Sequence, residues 1–123
     1  MLKKSRKYVN KINNSRVYDV AIRSPITKAE NLSSNLKNKI FLKREDLQPT
    51  HSFKIRGAYN KISHLVNKDN VGHIVTASAG NHAQGVAYSA RKLKIKATIF
   101  MPRTTPSIKI EEVKKMKSEV VLV

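Results

Sequence analysis

Along the chain the apolar positions change period, and each change marks an element. Ile40-Phe41-Leu42 is a short apolar run that ends in the charged Lys43-Arg44-Glu45-Asp46 and the break Gln48-Pro49-Thr50, a strand followed by a turn. Ile55, Ala58, Ile62 and Leu65 then recur at the spacing of one helix face. Thr50 and Ser52 stand before them, and either can cap a helix start, so Lys54 falls in the first turn of that helix. Gly72 precedes the β-branched run Ile74-Val75-Thr76, and Ala83, Val86, Ala87, Ala90 and Leu93 mark a second helix after Gly80. Ala97 to Met101 predicts another strand and Thr105-Pro106 a cap with proline at the first helical position. Ile108 to Lys117 predicts a third helix, and Glu119 to Val123 a last strand.

Strands alternating with helices of this length predict an α/β unit of right-handed βαβ crossovers on a parallel sheet. In such a sheet the strands near Ile40 and at 119–123 are expected to be buried on two faces. The last residue, Val123, directly follows an apolar strand, where a parallel sheet would normally continue. No repeat, low-complexity tract or linker divides the chain, so it reads as one incomplete α/β unit.

Composition narrows the classes. Hydrophobic residues are 40% and charged residues 27% of 123, the balance of a folded protein with enough length to bury roughly two-thirds of its unfolded surface. There is no cysteine, which excludes disulfides, zinc-cysteine sites and thiol nucleophiles. No metal site is expected. No apolar run approaches the roughly 20 residues needed to cross a bilayer, and no apolar segment follows the basic start, so the expected compartment is the cytoplasm.

The charge of +17, from 25 Lys+Arg against 8 Asp+Glu, raises a nucleic-acid partner as an alternative. Yet the basic residues run from Lys3 to Lys117 without a dominant block, and Lys greatly outnumbers Arg. That pattern reads as a solvated basic surface more than a phosphate track. Residues 1–7 read as a basic tail. The absence of acids before Asp19 suits a transit peptide, but Leu2, Val9 and Ile12 look too sparse for an amphipathic helix.

Two segments carry candidate chemistry. The first is Ser52-Phe53-Lys54-Ile55-Arg56-Gly57-Ala58. A lysine amine attacks an aldehyde only when deprotonated, and a helix start beside Arg56, Arg44 and Lys43 would favour the uncharged form. Phe53 offers a flat apolar face for an aromatic cofactor ring. Composition by itself favours the plainer reading, in which Lys54 is one of many solvated lysines and Phe53 is core.

The second segment, Thr76-Ala77-Ser78-Ala79-Gly80-Asn81-His82-Ala83-Gln84-Gly85, runs from a strand into a helix. Free backbone N–H groups at such a start bind carboxylate or phosphate, and Gly80 lets the chain approach an anion closely. Ser78 and Asn81 add side-chain hydrogen bonds, while His82 can be a general base or a capping and packing residue. The spacing matches neither a P-loop nor a dinucleotide fingerprint.

Taken together, Leu42 to Pro49 leading into His51-Ser52-Phe53-Lys54-Ile55-Arg56-Gly57-Ala58-Tyr59 closely resembles the biosynthetic threonine dehydratases. Thr76 to Ala87, Met101-Pro102 with Thr105-Pro106, and Lys109 through Leu122 continue the resemblance in order, so that it spans roughly Tyr8 to Val123. Threonine synthase, cysteine synthase and cystathionine synthase favour Lys-Asp-Arg where this chain has Lys54-Ile55-Arg56. Serine racemase and the catabolic dehydratases share Ser52 to Gly57 but usually carry Thr-Gly at Thr50-His51.

The resemblance implies the N-terminal portion, residues 8–123, of a pyridoxal 5'-phosphate enzyme of fold type II, similar to the tryptophan synthase β subunit. Lys54 would hold the cofactor and take the substrate α-proton, Phe53 would pack on the pyridine ring, and Asn81 would bond the phenolic oxygen. Ser78, Ala79, Gly80, Asn81 and His82 would hold the substrate carboxylate. Threonine would give 2-oxobutanoate and ammonia for isoleucine synthesis, and serine would give pyruvate. The family's glycine-rich phosphate loop, its pyridine-nitrogen serine and its regulatory domain would lie beyond Val123. A truncated, inactive product or one half of a split enzyme, completed by a C-terminal chain or a homo-oligomer, is therefore expected. Another lyase or racemase of the same fold remains an alternative. Lys117 and Ser118 stand where the family usually has glycines, which leaves a glycine-dependent turn open.

Overall fold

The computed structural model describes the backbone of residues 2–123 and the side chains from Ser5 onward, so the first four side chains of the expected basic tail lie outside the described residues. The spacing of Leu2, Val9 and Ile12, read as too sparse for an amphipathic helix, is corrected, because Leu2–Asn13 is a helix, α1. Lysine and arginine are good helix formers, and no proline or glycine interrupts before Pro25. Tyr8, Val9 and Ile12 share one face at i, i+1 and i+4, so the sparse spacing is sufficient, although all three stay more than half exposed.

The strand near Ile40 is also corrected. Phe41–Lys43 (β2) pairs antiparallel with Ile26–Lys28 (β1), with Ile26 opposite Lys43 and Lys28 opposite Phe41. The pair is a separate two-stranded ribbon with a short helix, Glu30–Asn35 (α2), between its strands. No second layer covers it, and Phe41 and Leu42 are exposed rather than buried on two faces.

The rest follows the predicted alternation: α3 (Lys54–Asp69), β3 (His73–Ala77), α4 (Asn81–Leu93), β4 (Lys96–Met101), α5 (Ser107–Lys115) and β5 (Glu119–Leu122). The three strands form a parallel sheet in the order β3-β4-β5, with His73 beside Lys96 and Thr98 beside Glu119. Ala58 and Ile62 of α3, Ala83, Val86 and Ala87 of α4, Ile99 and Met101 of β4, and Val113 of α5 form the core. Ile99 and Val113 keep no exposed surface, each burial being worth roughly 1.5–3 kcal/mol. Residues alternate faces along β4, so Thr98 points away from Ile99. Its hydroxyl donates to Glu119 at 2.6 Å, which leaves His73 Nε2 to donate to Thr98 Oγ1 at 2.9 Å.

Helix ends settle two local expectations. The Lys54 N–H donates to Ser52 Oγ at 3.2 Å, whereas the buried Thr50 hydroxyl has no partner among the described residues; the N-cap itself is Phe53, with no side-chain cap bond. Pro106 sits one position earlier than expected, at the N-cap of α5. The turn between α5 and β5 forms with Lys117 at φ 63°, a left-handed conformation that costs a non-glycine residue roughly 1–2 kcal/mol.

Candidate active site

Lys54 opens α3, and its side chain reaches a cavity of about 670 Å³ between α3 and the free edge of β3. Phe53, Ile74, Thr76, His82 and Val86 share its wall. The Lys54 amine stands 4.7 Å from the centre of the Phe53 ring and forms no ion pair among the described residues. The cations expected to act on it are engaged elsewhere. Arg44 bonds Asp46 through two nitrogens, Arg56 holds Glu45, and the Lys43 amine donates to the Ser24 carbonyl.

Of these groups, Arg56 anchors the helix that carries Lys54. Arg56 donates to both Glu45 oxygens, at 2.7 and 2.8 Å, and to the Ile22 carbonyl at 3.2 Å. Ser24 Oγ and Gln48 Nε2 also donate to the Glu45 carboxylate. Gln48 in turn accepts from the Ile22 N–H and donates to its carbonyl, both at 2.9 Å, although 26 residues separate the pair. The Arg56 guanidinium holds the Glu45 carboxyl at about 2, against the cost of burial. Glu45 pushes Arg56 the other way, well above its ordinary value. Tyr59 adds a bond to Asp19 at 3.1 Å, and burial followed by that bond raises its phenol. Sequence reasoning missed Glu45 and Gln48 because their partners are distant in the chain and leave no local pattern.

The second candidate segment leaves β3 with the Ser78 N–H donating to the Phe100 carbonyl at 3.0 Å. The Gly80 N–H donates to Ser78 Oγ at 3.3 Å, which closes the loop on itself. Gly80 is extended backbone with nothing of this chain within 4 Å of a would-be Cβ, so its openness faces outward. Asn81 and His82 begin α4, both exposed. The Lys109 amine lies 3.4 Å from Asn81 Oδ1, a neighbour the sequence did not flag. Of the candidates, Phe53, Lys54 and His82 share the cavity wall, while Ser78, Ala79, Gly80 and Asn81 lie outside its lining. His82 lines the cavity and makes no side-chain hydrogen bond among the described residues.

The arrangement fits an aromatic aldehyde cofactor: an amine without a counter-ion, a flat ring beside it, and a cavity within the roughly 300–1,000 Å³ typical of such sites. No group of three or more metal-ligating side chains occurs among the described residues, and no helix there is long and apolar enough to cross a membrane. Fold and site together define an α/β scaffold with a lysine and an aromatic ring on the wall of one cavity. Residues 17–123 match the family described as pyridoxal-phosphate dependent enzymes, and the chain belongs to it.

The resemblance to threonine dehydratases is borne out by individual relatives. A threonine dehydratase-like protein of Alternaria alternata is 55% identical over 94% of this chain and 28% of its own length. A biosynthetic L-threonine dehydratase of Burkholderia multivorans is 51% identical over 89% of this chain and 22% of its own. The processed form of threonine deaminase isoform 2 from Solanum lycopersicum superposes with a TM-score of 0.89 at 48% identity, covering 98% of this chain and 33% of that one. The chain thus spans between about a fifth and a third of the length of these relatives.

Proposed function

We propose that residues 8–123 are the N-terminal portion of the catalytic domain of an L-threonine ammonia-lyase that forms 2-oxobutanoate and ammonia in isoleucine synthesis, with Lys54 as the cofactor lysine. The observation that carries this reading is the Lys54 amine, unpaired on the cavity wall beside Phe53, in a chain 51–55% identical to threonine dehydratases. Pyridoxal 5'-phosphate, when bound, supplies an electron sink for the charge left at the substrate α-carbon. Lys54 would hold the cofactor, and its amine would accept the substrate α-proton. Phe53 would pack against the cofactor ring, and Asn81 would hydrogen-bond it. The Ser78–His82 backbone and side chains hold the substrate carboxylate at the start of α4. Threonine or serine is the substrate class, and the cytoplasm the compartment such synthesis suits.

The relatives carry the reaction on chains three or more times as long, so further groups come from polypeptide outside these residues, continuous with them or supplied by a second chain or copy. Supplying the portion of the Burkholderia relative that follows the position of Val123 should restore threonine turnover that the 123 residues by themselves lack. In that complex Lys54→Ala should remove both the visible absorbance of the lysine-bound cofactor and the 2-oxobutanoate. An unchanged spectrum in the variant refutes the role of Lys54.

A further inference from the structure

We propose that Gly85 is a positioning residue that sets where Lys54 stands relative to the Ser78–His82 loop. The inference rests on the assignment of Lys54 above and adds a residue that nothing so far has given a role. Lys54 opens α3, and Asn81 and His82 open α4, so the distance between the two candidate segments is fixed by how closely these helices approach. They approach closely at Gly85, one turn into α4. A Cβ built there would lie 3.2 Å from the Lys54 carbonyl carbon, 3.2 Å from its oxygen and 3.2 Å from the Ile55 nitrogen.

All three are backbone atoms, which cannot rotate aside as a side chain would. Any side chain at 85 therefore pushes the first turn of α3, and Lys54 with it, by a few tenths of an ångström. The seam around this point is closed: Gly85 is buried, Ile55 has no exposed surface, and the buried Ser89 hydroxyl donates to the Gly85 carbonyl at 2.6 Å. On its other side the same turn of α3 is tied down by Arg56 and Glu45. Lys54 is thus held by a glycine contact on one side and an ion pair on the other, and neither constraint touches its amine. Gly72, outside the lining of the cavity, has nothing within 4 Å and supplies the control.

The test uses the 123-residue chain, pyridoxal 5'-phosphate as probe, borohydride to fix the adduct, and mass spectrometry to compare Lys54 with Lys61 on the same helix and the same cavity wall. The wild-type chain should label Lys54 preferentially. Since misplacement of about 1 Å costs on the order of 100-fold, a shift of a few tenths should lower the Lys54:Lys61 ratio roughly 3- to 10-fold in Gly85→Ala while helical circular dichroism is kept. Gly72→Ala should leave the ratio unchanged. Selective labelling that survives Gly85→Ala in a folded chain overturns this proposal and leaves the role of Lys54 standing, whereas equal labelling in the wild type overturns both. Ser89→Ala adds no atom to the seam and gives the reading where the alanine variant does not fold: a lowered ratio supports the positioning role, and an unchanged one overturns it.

Discussion

Glu45→Gln probes the anchor beneath Lys54. The Glu45 carboxyl titrates at about 2 in the fold against an ordinary 4.5, chiefly because Arg56 bonds it. At 1.36 kcal/mol per pH unit the difference corresponds to about 3 kcal/mol. The side chains of Glu45 and Arg56 are 18% and 24% exposed, so water screens the pair, and about 1–2 kcal/mol is the expected contribution. The sign follows from the lowered value. The stabilisation is fully present above about 4.5 and is lost as pH falls toward 2. Urea denaturation followed by circular dichroism should therefore place Glu45→Gln about 1–2 kcal/mol below the wild type at pH 7, close to 1 M in midpoint for a small chain. Near pH 2 the two curves should draw together. Equal stability at pH 7, or a gap that persists undiminished at pH 2, would refute the reasoning.

Three further outcomes are expected. In the complemented enzyme Asn81→Ala should weaken cofactor binding by roughly 1.5–3 kcal/mol, the value of one hydrogen bond to a charged group, measured by titration of the visible absorbance; a loss as complete as that of Lys54→Ala would assign Asn81 another role. Lys117→Gly should raise stability by about 0.5–1 kcal/mol in the same urea assay, since glycine relieves the φ of 63° while adding some unfolded-state entropy, and a destabilised variant would contradict the strain. Salt should promote self-association detectable by light scattering, because Val75 on the free edge of β3 and Leu122 on β5 are exposed at 63% and 42% while a charge of +17 is screened over about 10 Å at 0.1 M. A monomer at all salts with protected β5 amides would show that these edges need no partner.

The sequence by itself determined the local chemistry and the alternation of elements. The Ile55-Ala58-Ile62 spacing placed Lys54 in the first turn of α3, where its N–H bonds Ser52 Oγ, and the small residues after Thr76 placed a loop at the start of α4. These features depend on neighbours within a turn or two, so one stretch of chain contains all the information they need. The tertiary structure decided what depends on distant partners. Only the fold shows that Arg56 is spent on Glu45 rather than on Lys54, that Gln48 reaches Ile22, and that Gly85 is the point where α4 meets the backbone of Lys54. The same holds for β2, whose apolar run read as buried but pairs with β1 and stays exposed, and for α1, whose three apolar side chains form one face once the helix exists. A periodic pattern reports which side of an element is apolar; burial depends on what packs there, and that is set by chain segments far away in sequence.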